Sequence, residues 1–292
     1  MGLYRSMLFA PGNHARKVEK SLTLDADVVI LDLEDAVAVS EKPATRPVVV
    51  KALQKPRSCL GYVRVNAFDT PFCYGDLQAV VQRGVDGIIL PKVESAAQLQ
   101  CIDWLMMQLE RERGLEQGCV DLLPIIETGK GVSALKPICA ASPRVKRLSF
   151  GAGDYSLDMN MRWTRGEREM DHARASIAVE SRAAGLEPPV DTVFIHLGDI
   201  DALKASTELV RDMGYQGKLC IHPEQVPVVN QVFTPSEDEI AKARRYVKAF
   251  EDAEASGSAS IQVDGYFIDY PIVEKARRVL GVAAEIEARG LS

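Results

Sequence analysis

The 292-residue chain holds four histidines and six cysteines, and neither set forms a metal-binding pattern. Cys59, Cys73, Cys101, Cys119, Cys139 and Cys220 are scattered with no C-x-x-C pair, and His14, His172, His196 and His222 never fall three to five residues apart. A zinc centre and a disulfide framework are therefore set aside, and the thiols read as reduced packing groups. No apolar run approaches the roughly 18 residues that cross a bilayer, and the N-terminus lacks a charged segment ahead of an apolar core. A cytoplasmic protein with no membrane partner is expected. Dense blocks of Lys and Arg are also missing, and with a net charge of −6 and a pI near 5.4 nucleic acid has no electrostatic footing. Neither a P-loop nor G-x-G-x-x-G follows an apolar run, so no phosphate cradle of those types is expected.

What the chain does have is core-forming material, with 47% hydrophobic and 26% charged residues, as suits a soluble globular protein. Short apolar runs alternate with amphipathic stretches, the pattern of βα repeats around a parallel sheet. Strands are expected at 6–10, 28–33, 62–65, 87–90, 122–126, 148–150, 192–197 and 219–221. Eight strands close a (β/α)8 TIM barrel, which is the expected fold. Helices are expected near 14–24, 43–54, 76–83, 96–112, 132–140, 167–184, 202–213 and 227–232, with Gly84, Gly185 and Gly214 stopping three of them. Beyond the eighth strand, Ser236 to Glu239 forms a capping box that opens another helix, and 255–260 (ASGSAS) reads as a flexible linker. The expected division is a barrel domain over 1–254 and a C-terminal helical lid extension over 255–292. A bland role for that tail is to cover one barrel end or make a dimer contact; its functional role is a lid carrying Asp269.

The organising stretch is 121–155, DLLPIIETGKGVSALKPICAASPRVKRLSFGAGDY, where two apolar runs each end in a carboxylate beside glycine. Glu127 and Asp154 then occupy neighbouring strand tips, the rim where parallel α/β folds build their sites. Two acids there repel unless a cation lies between them, and two hard oxygen ligands suit a substrate-bridging Mg²⁺. The plainer reading has Glu127 capping a helix and Asp154 closing a turn. Arg64, between Val63 and Val65, is costly in a core strand without an acid or an anionic ligand to meet it. Asp32 or Glu34 is the plain partner, and a bound carboxylate the functional one.

The segments RSMLFAPGNHARKVEKSLTLDADVVILDLEDAVAVSEKPATR, YVRVNAFDT, GIILPKVES, LLPIIET, FGAGDYSLD, CIHPEQV and GYFIDYP together resemble the citrate lyase beta-chain and citramalyl-CoA or malyl-CoA lyase family. That resemblance implies a Mg²⁺-dependent carbon–carbon lyase of a 3-hydroxyacyl thioester, assembled as a homo-oligomer, commonly a trimer. It implies Glu127 and Asp154 as metal ligands, Glu127 and Arg64 as substrate-holding, Arg64 and Glu34 as catalytic, and Glu34 as an acid bonding metal-bound water. Asp269 matches an acid–base residue that reaches the adjacent subunit's site, while Phe9 and Arg16 match positions on the acyl-carrier side of the pocket. Two departures lie beside that site. Gly153 stands where many relatives have Glu, and His196 stands where many have Asp in the seventh strand. The loop with Arg162 and Trp163 is also distinctive. A free oxo-acid aldolase and a non-cleaving thioester-binding paralogue are the other readings, and CoA and a carrier protein are both open as carriers.

Overall fold

A computed structural model describes residues 2–290. Eight parallel strands close a barrel in sequence order: β1 (Ser6–Pro11), β2 (Val28–Asp32), β3 (Leu60–Arg64), β4 (Gly87–Leu90), β5 (Asp121–Ile126), β6 (Ser149–Phe150), β7 (Val190–Asp191) and β8 (Gly217–Cys220). The expected (β/α)8 TIM barrel is what forms. Between strands run α1 (Ala15–Ser21), α2 (Lys42–Leu53), α3 (Cys73–Val80), α4 (Ala96–Glu112), the broken pair α5 (Gly129–Ser133) and α6 (Leu135–Cys139), α7 (Ala152–Asp158), α8 (Asp171–Ala183) and α9 (Ile200–Asp212), and α10 (Gln225–Phe233) follows β8. Gly84, Gly185 and Gly214 each take positive φ where the chain leaves a helix or turn, as their places in the sequence required.

Alternation along the strands decides what faces the barrel axis. Met7, Val28, Ile30, Tyr62, Ile89, Leu123, Ile125, Val190 and Leu219 pack there as one buried cluster. Below them the N-terminal end is closed by polar side chains that satisfy one another. Tyr62 donates to Asp121 Oδ2 at 2.6 Å, Tyr4 and Tyr62 hydroxyls meet at 3.2 Å, and Arg147 bonds Asp121 and Glu187 while lying 3.7 Å over the Tyr4 ring. At the other end, register places Arg64 beside Asp32, so both reach the C-terminal mouth.

The seventh strand is the main departure from the expected boundaries. It lies at Val190–Asp191 and not at 192–197, because Asp191 faces the helical layer and finds cationic partners there. Its carboxylate accepts from Arg174 Nε at 2.9 Å and from Lys218 Nζ at 2.5 Å, all three side chains being buried. The apolar letters that followed belong to a loop, with Ile195 and Leu197 exposed. A second departure is α7, where AGDYSLD forms a helix in place of a glycine turn.

Packing divides the chain into Tyr4–Asn230 and a smaller unit running from Gln231, with residues 2–3 joining the latter. The smaller unit takes in α11 (Glu237–Ala255), a β9 (Ile261–Val263) and β10 (Tyr266–Ile268) hairpin and α12 (Tyr270–Ala288). It therefore starts well before residue 255, since Tyr246 and Phe250 of α11 share a core with Ile268, Val273 and Ala276. Ser236 and Glu239 close the expected capping box. Asp264 and Gly265, both at positive φ, form the two-residue turn that joins β9 and β10.

Candidate active site

Each tip of β2 to β6 delivers a charged group to the C-terminal mouth. From β2, Asp32 is buried and grips Arg64 through two bonds, Nε to Oδ1 at 2.8 Å and a second terminal nitrogen to Oδ2 at 2.6 Å. Asp32 also accepts the backbone N–H groups of Glu34 and Ala36. Burial would raise this carboxyl's pKa, but the guanidinium and these bonds outweigh burial and hold it below its usual value. The remaining guanidinium nitrogen of Arg64 lies 3.0 Å from Glu34 Oε2, and Phe9 on β1 covers the guanidinium at 4.8 Å. Both plain partners of Arg64 are thus present, and they fix its plane at the mouth.

Glu127 ends β5 and is 3% exposed. Its pKa is pushed up to about 8, first by burial and then by the neighbouring negative charges of Asp154 and Glu34. Its Oε1 accepts the Lys92 N–H at 2.7 Å. On the other side it leans against Gly151, where an added Cβ would lie 2.4 Å from Glu127 Oε2 and 2.8 Å from its Cβ. Glycine at 151 is therefore what allows this carboxylate to enter the mouth. Asp154 stands in the first turn of α7, half exposed, with the Lys92 ammonium 3.7 Å from its Oδ2.

Glu34, Arg64, Glu127 and Asp154 are thus brought together, with Phe9 beside them. Arg16 is exposed on α1, and among the described residues no ion pair of the cluster includes it. Asp269 belongs to the smaller unit, where it caps α12 by accepting the Ile272 N–H at 3.3 Å. His196 is exposed in the loop after β7, edge-on to Phe194, and so is not a strand residue. Gly153 has open space about it, the nearest atom to an added Cβ being on the Trp163 ring at 3.8 Å. Lys92, at the Pro91-Lys92-Val93-Glu94 tip of β4, joins the site without a role expected from the sequence, its ammonium bonding Glu34 Oε1 at 2.6 Å. Its only signal in the sequence was a lysine directly after an apolar strand.

Glu127 and Asp154 are the pair able to hold a cation. Among the described residues no group of three or more His, Cys, Asp or Glu forms a metal cage. Two carboxylates leave the other positions of an octahedral ion to water and substrate, which is how Mg²⁺ is commonly held. The donor set itself, two carboxylates offering hard oxygens at one barrel mouth, fits that ion.

A closed barrel that gathers charged groups at its C-terminal mouth is an enzyme architecture. Residues 5–223 match the family model described as HpcH/HpaI aldolase/citrate lyase. The citrate lyase subunit beta of Leuconostoc mesenteroides subsp. cremoris is 38% identical over 283 residues, covering 96% of this chain and 93% of that protein. The L-malyl-CoA/beta-methylmalyl-CoA lyase of Cereibacter sphaeroides is 33% identical, with 97% and 96% covered. Among solved structures, the protein CitE of Mycobacterium tuberculosis in complex with magnesium, acetoacetate and coenzyme A aligns with a TM-score of 0.76 at 28% identity, covering 96% and 98%. The chain belongs to the HpcH/HpaI aldolase/citrate lyase family, and it is a carbon–carbon lyase. Among the described residues no helix is long and apolar enough to cross a membrane.

Proposed function

We propose that the protein cleaves, or in reverse condenses, a 3-hydroxyacyl thioester of malyl, citramalyl or citryl type, yielding an acetyl thioester and a 2-oxo acid. The observation that carries this reading is the rim itself: a guanidinium held in plane beside two carboxylates suited to Mg²⁺. In the cleavage direction the C3 hydroxyl loses its proton, the C2–C3 bond breaks as the C3 carbonyl forms, and C2 takes up a proton. Arg64 orients the substrate carboxylate and faces the charge that develops on the departing fragment. Glu127 and Asp154 hold the Mg²⁺, which when bound supplies Lewis-acid stabilisation of oxygen-centred charge. Glu34, which accepts a hydrogen bond from Lys92 and ion-pairs with Arg64, would accept a hydrogen bond from water at a bound ion. Phe9 walls the guanidinium, and Arg16 faces the carrier, CoA or a carrier protein. Asp269 of a neighbouring copy in a homo-oligomer, a trimer in this reading, transfers the C2 proton.

The test is a panel of malyl-CoA, citramalyl-CoA, a citryl thioester and the matching free hydroxy acids, each with and without Mg²⁺. Mg²⁺-dependent release of a 2-oxo acid from one thioester is expected. Turnover confined to the free acids would make the protein an oxo-acid aldolase, and no turnover on any member would remove the lyase assignment.

A further inference from the structure

The carboxyl groups at the barrel mouth are sorted into two sets, and one residue stands between them. Lys92 has φ of 52°, a left-handed conformation that is unfavourable for a residue with a Cβ. Strain of this kind persists where the surroundings fix it. Here the turn aims the Lys92 N–H at Glu127 Oε1, 2.7 Å away, and brings the ammonium back to Glu34 Oε1 at 2.6 Å. The same ammonium lies 3.7 Å from Asp154 Oδ2 and 4.0 Å from Asp35 Oδ2. Glu34 therefore has a cation at each oxygen, Lys92 on one and Arg64 on the other. Glu127, by contrast, receives a neutral backbone donor.

We propose that Lys92 is the positioning residue that sets how the mouth carboxyls meet a divalent cation, holding Glu34 back and tempering Asp154 while Glu127 meets only a neutral backbone donor. The inference rests on the Mg²⁺ reading above. An oxygen engaged by an ammonium offers a poor lone pair to a second cation, and a positive charge near Asp154 weakens its hold on another. Removing the ammonium frees Glu34 to join the ion and lifts the repulsion. Both changes tighten cation binding at the expense of the water positions that substrate needs.

Mn²⁺ serves as the probe, with free ion counted by electron paramagnetic resonance and bound-ion hydration read from water-proton relaxation, without substrate. The variants are Lys92→Met, which keeps most of the stem, and Lys92→Gly, which suits the φ and keeps the N–H. Circular dichroism checks folding, and Lys92→Gly decides the matter if Lys92→Met misfolds. Both are expected to bind Mn²⁺ about tenfold tighter or more, with fewer exchangeable waters. Adding Glu34→Gln to either should return affinity towards that of the unaltered protein. Unchanged or weaker binding with unchanged hydration overturns the proposal, as does failure of the unaltered protein to bind Mn²⁺. The lyase reading fails separately: tighter Mn²⁺ binding by the variants alongside a silent thioester panel sinks that reading and keeps the role of Lys92.

Discussion

Arg64 shows what a single side chain contributes at this mouth. Two of its nitrogens are committed to Asp32 and a third to Glu34, so its plane is set before any ligand arrives. An ammonium carries the charge without that plane, and Arg64→Lys is expected to lower kcat/KM by about a hundredfold or more, since bonds to charged groups contribute about 1.5–3 kcal/mol each. Turnover near that of the unaltered protein would return Arg64 to a structural role. Glu127→Ala and Asp154→Ala are expected to abolish Mg²⁺-dependent turnover and to leave a folded protein, because both lie on the rim. Calorimetry that found Mg²⁺ affinity intact in either variant would remove that residue from the ligand pair. Gly151 makes a sharper case. A methyl group there collides with Glu127 itself, so Gly151→Ala should weaken Mg²⁺ binding with both ligand residues still present, at a stability cost of about 1–3 kcal/mol. Calorimetry and a urea midpoint read the two effects separately.

Strand β7 is two residues long and is held by charge as much as by its ladder. Asp191 is fully buried between Arg174 and Lys218. Burial would raise its pKa; the two cations and their hydrogen bonds outweigh it and hold the carboxyl below its usual 3.8. A group depressed in the folded state stabilises above its unfolded pKa, and that stabilisation fades as pH falls through the folded one. Asp191→Asn is therefore expected to lose about 3–5 kcal/mol near neutral pH, because two buried cations lose their counter-charge. The gap to the unaltered protein should shrink below about pH 4. Urea midpoints from pH 7 to 3 decide this, and parallel curves would exclude Asp191 as the source. The same element shows what the sequence made legible. Runs such as VVILD and LLPII lie at buried strands because their apolar letters coincide with strand length. VDTVFIHL misled, since the strand took the charged residue and left the apolar ones outside; a buried Asp becomes affordable only when partners 17 and 27 residues away arrive. The α7 helix was masked by Gly153 within it and Gly151 at its N-cap, and the placing of Glu127, Asp154 and Arg64 at one mouth followed directly from their positions at or just past strand ends.

Across the whole molecule, the proposed sharing of sites can be tested by complementation. Asp269 caps α12, and Asn caps a helix about as well, so Asp269→Asn removes the acid and spares the cap. A chain with Asp269→Asn and one with Glu127→Ala should each be inactive alone, yet recover activity when mixed and reassembled, because some sites then inherit neither defect. Continued inactivity, with subunit exchange verified by mass spectrometry, would reject the contribution in trans. The polar plug of Tyr4, Tyr62, Asp121, Arg147 and Glu187 has a kinetic corollary. With the apolar cluster above it, the plug closes the barrel axis, so arrivals and departures share one doorway, the C-terminal mouth. The proposed roles, Arg64 on the substrate carboxylate and Arg16 towards the carrier, imply that the 2-oxo acid departs second. Product inhibition should then be competitive for the 2-oxo acid against the intact thioester and noncompetitive for the acetyl thioester; the opposite assignment would mean that the queue at the doorway runs in the other order.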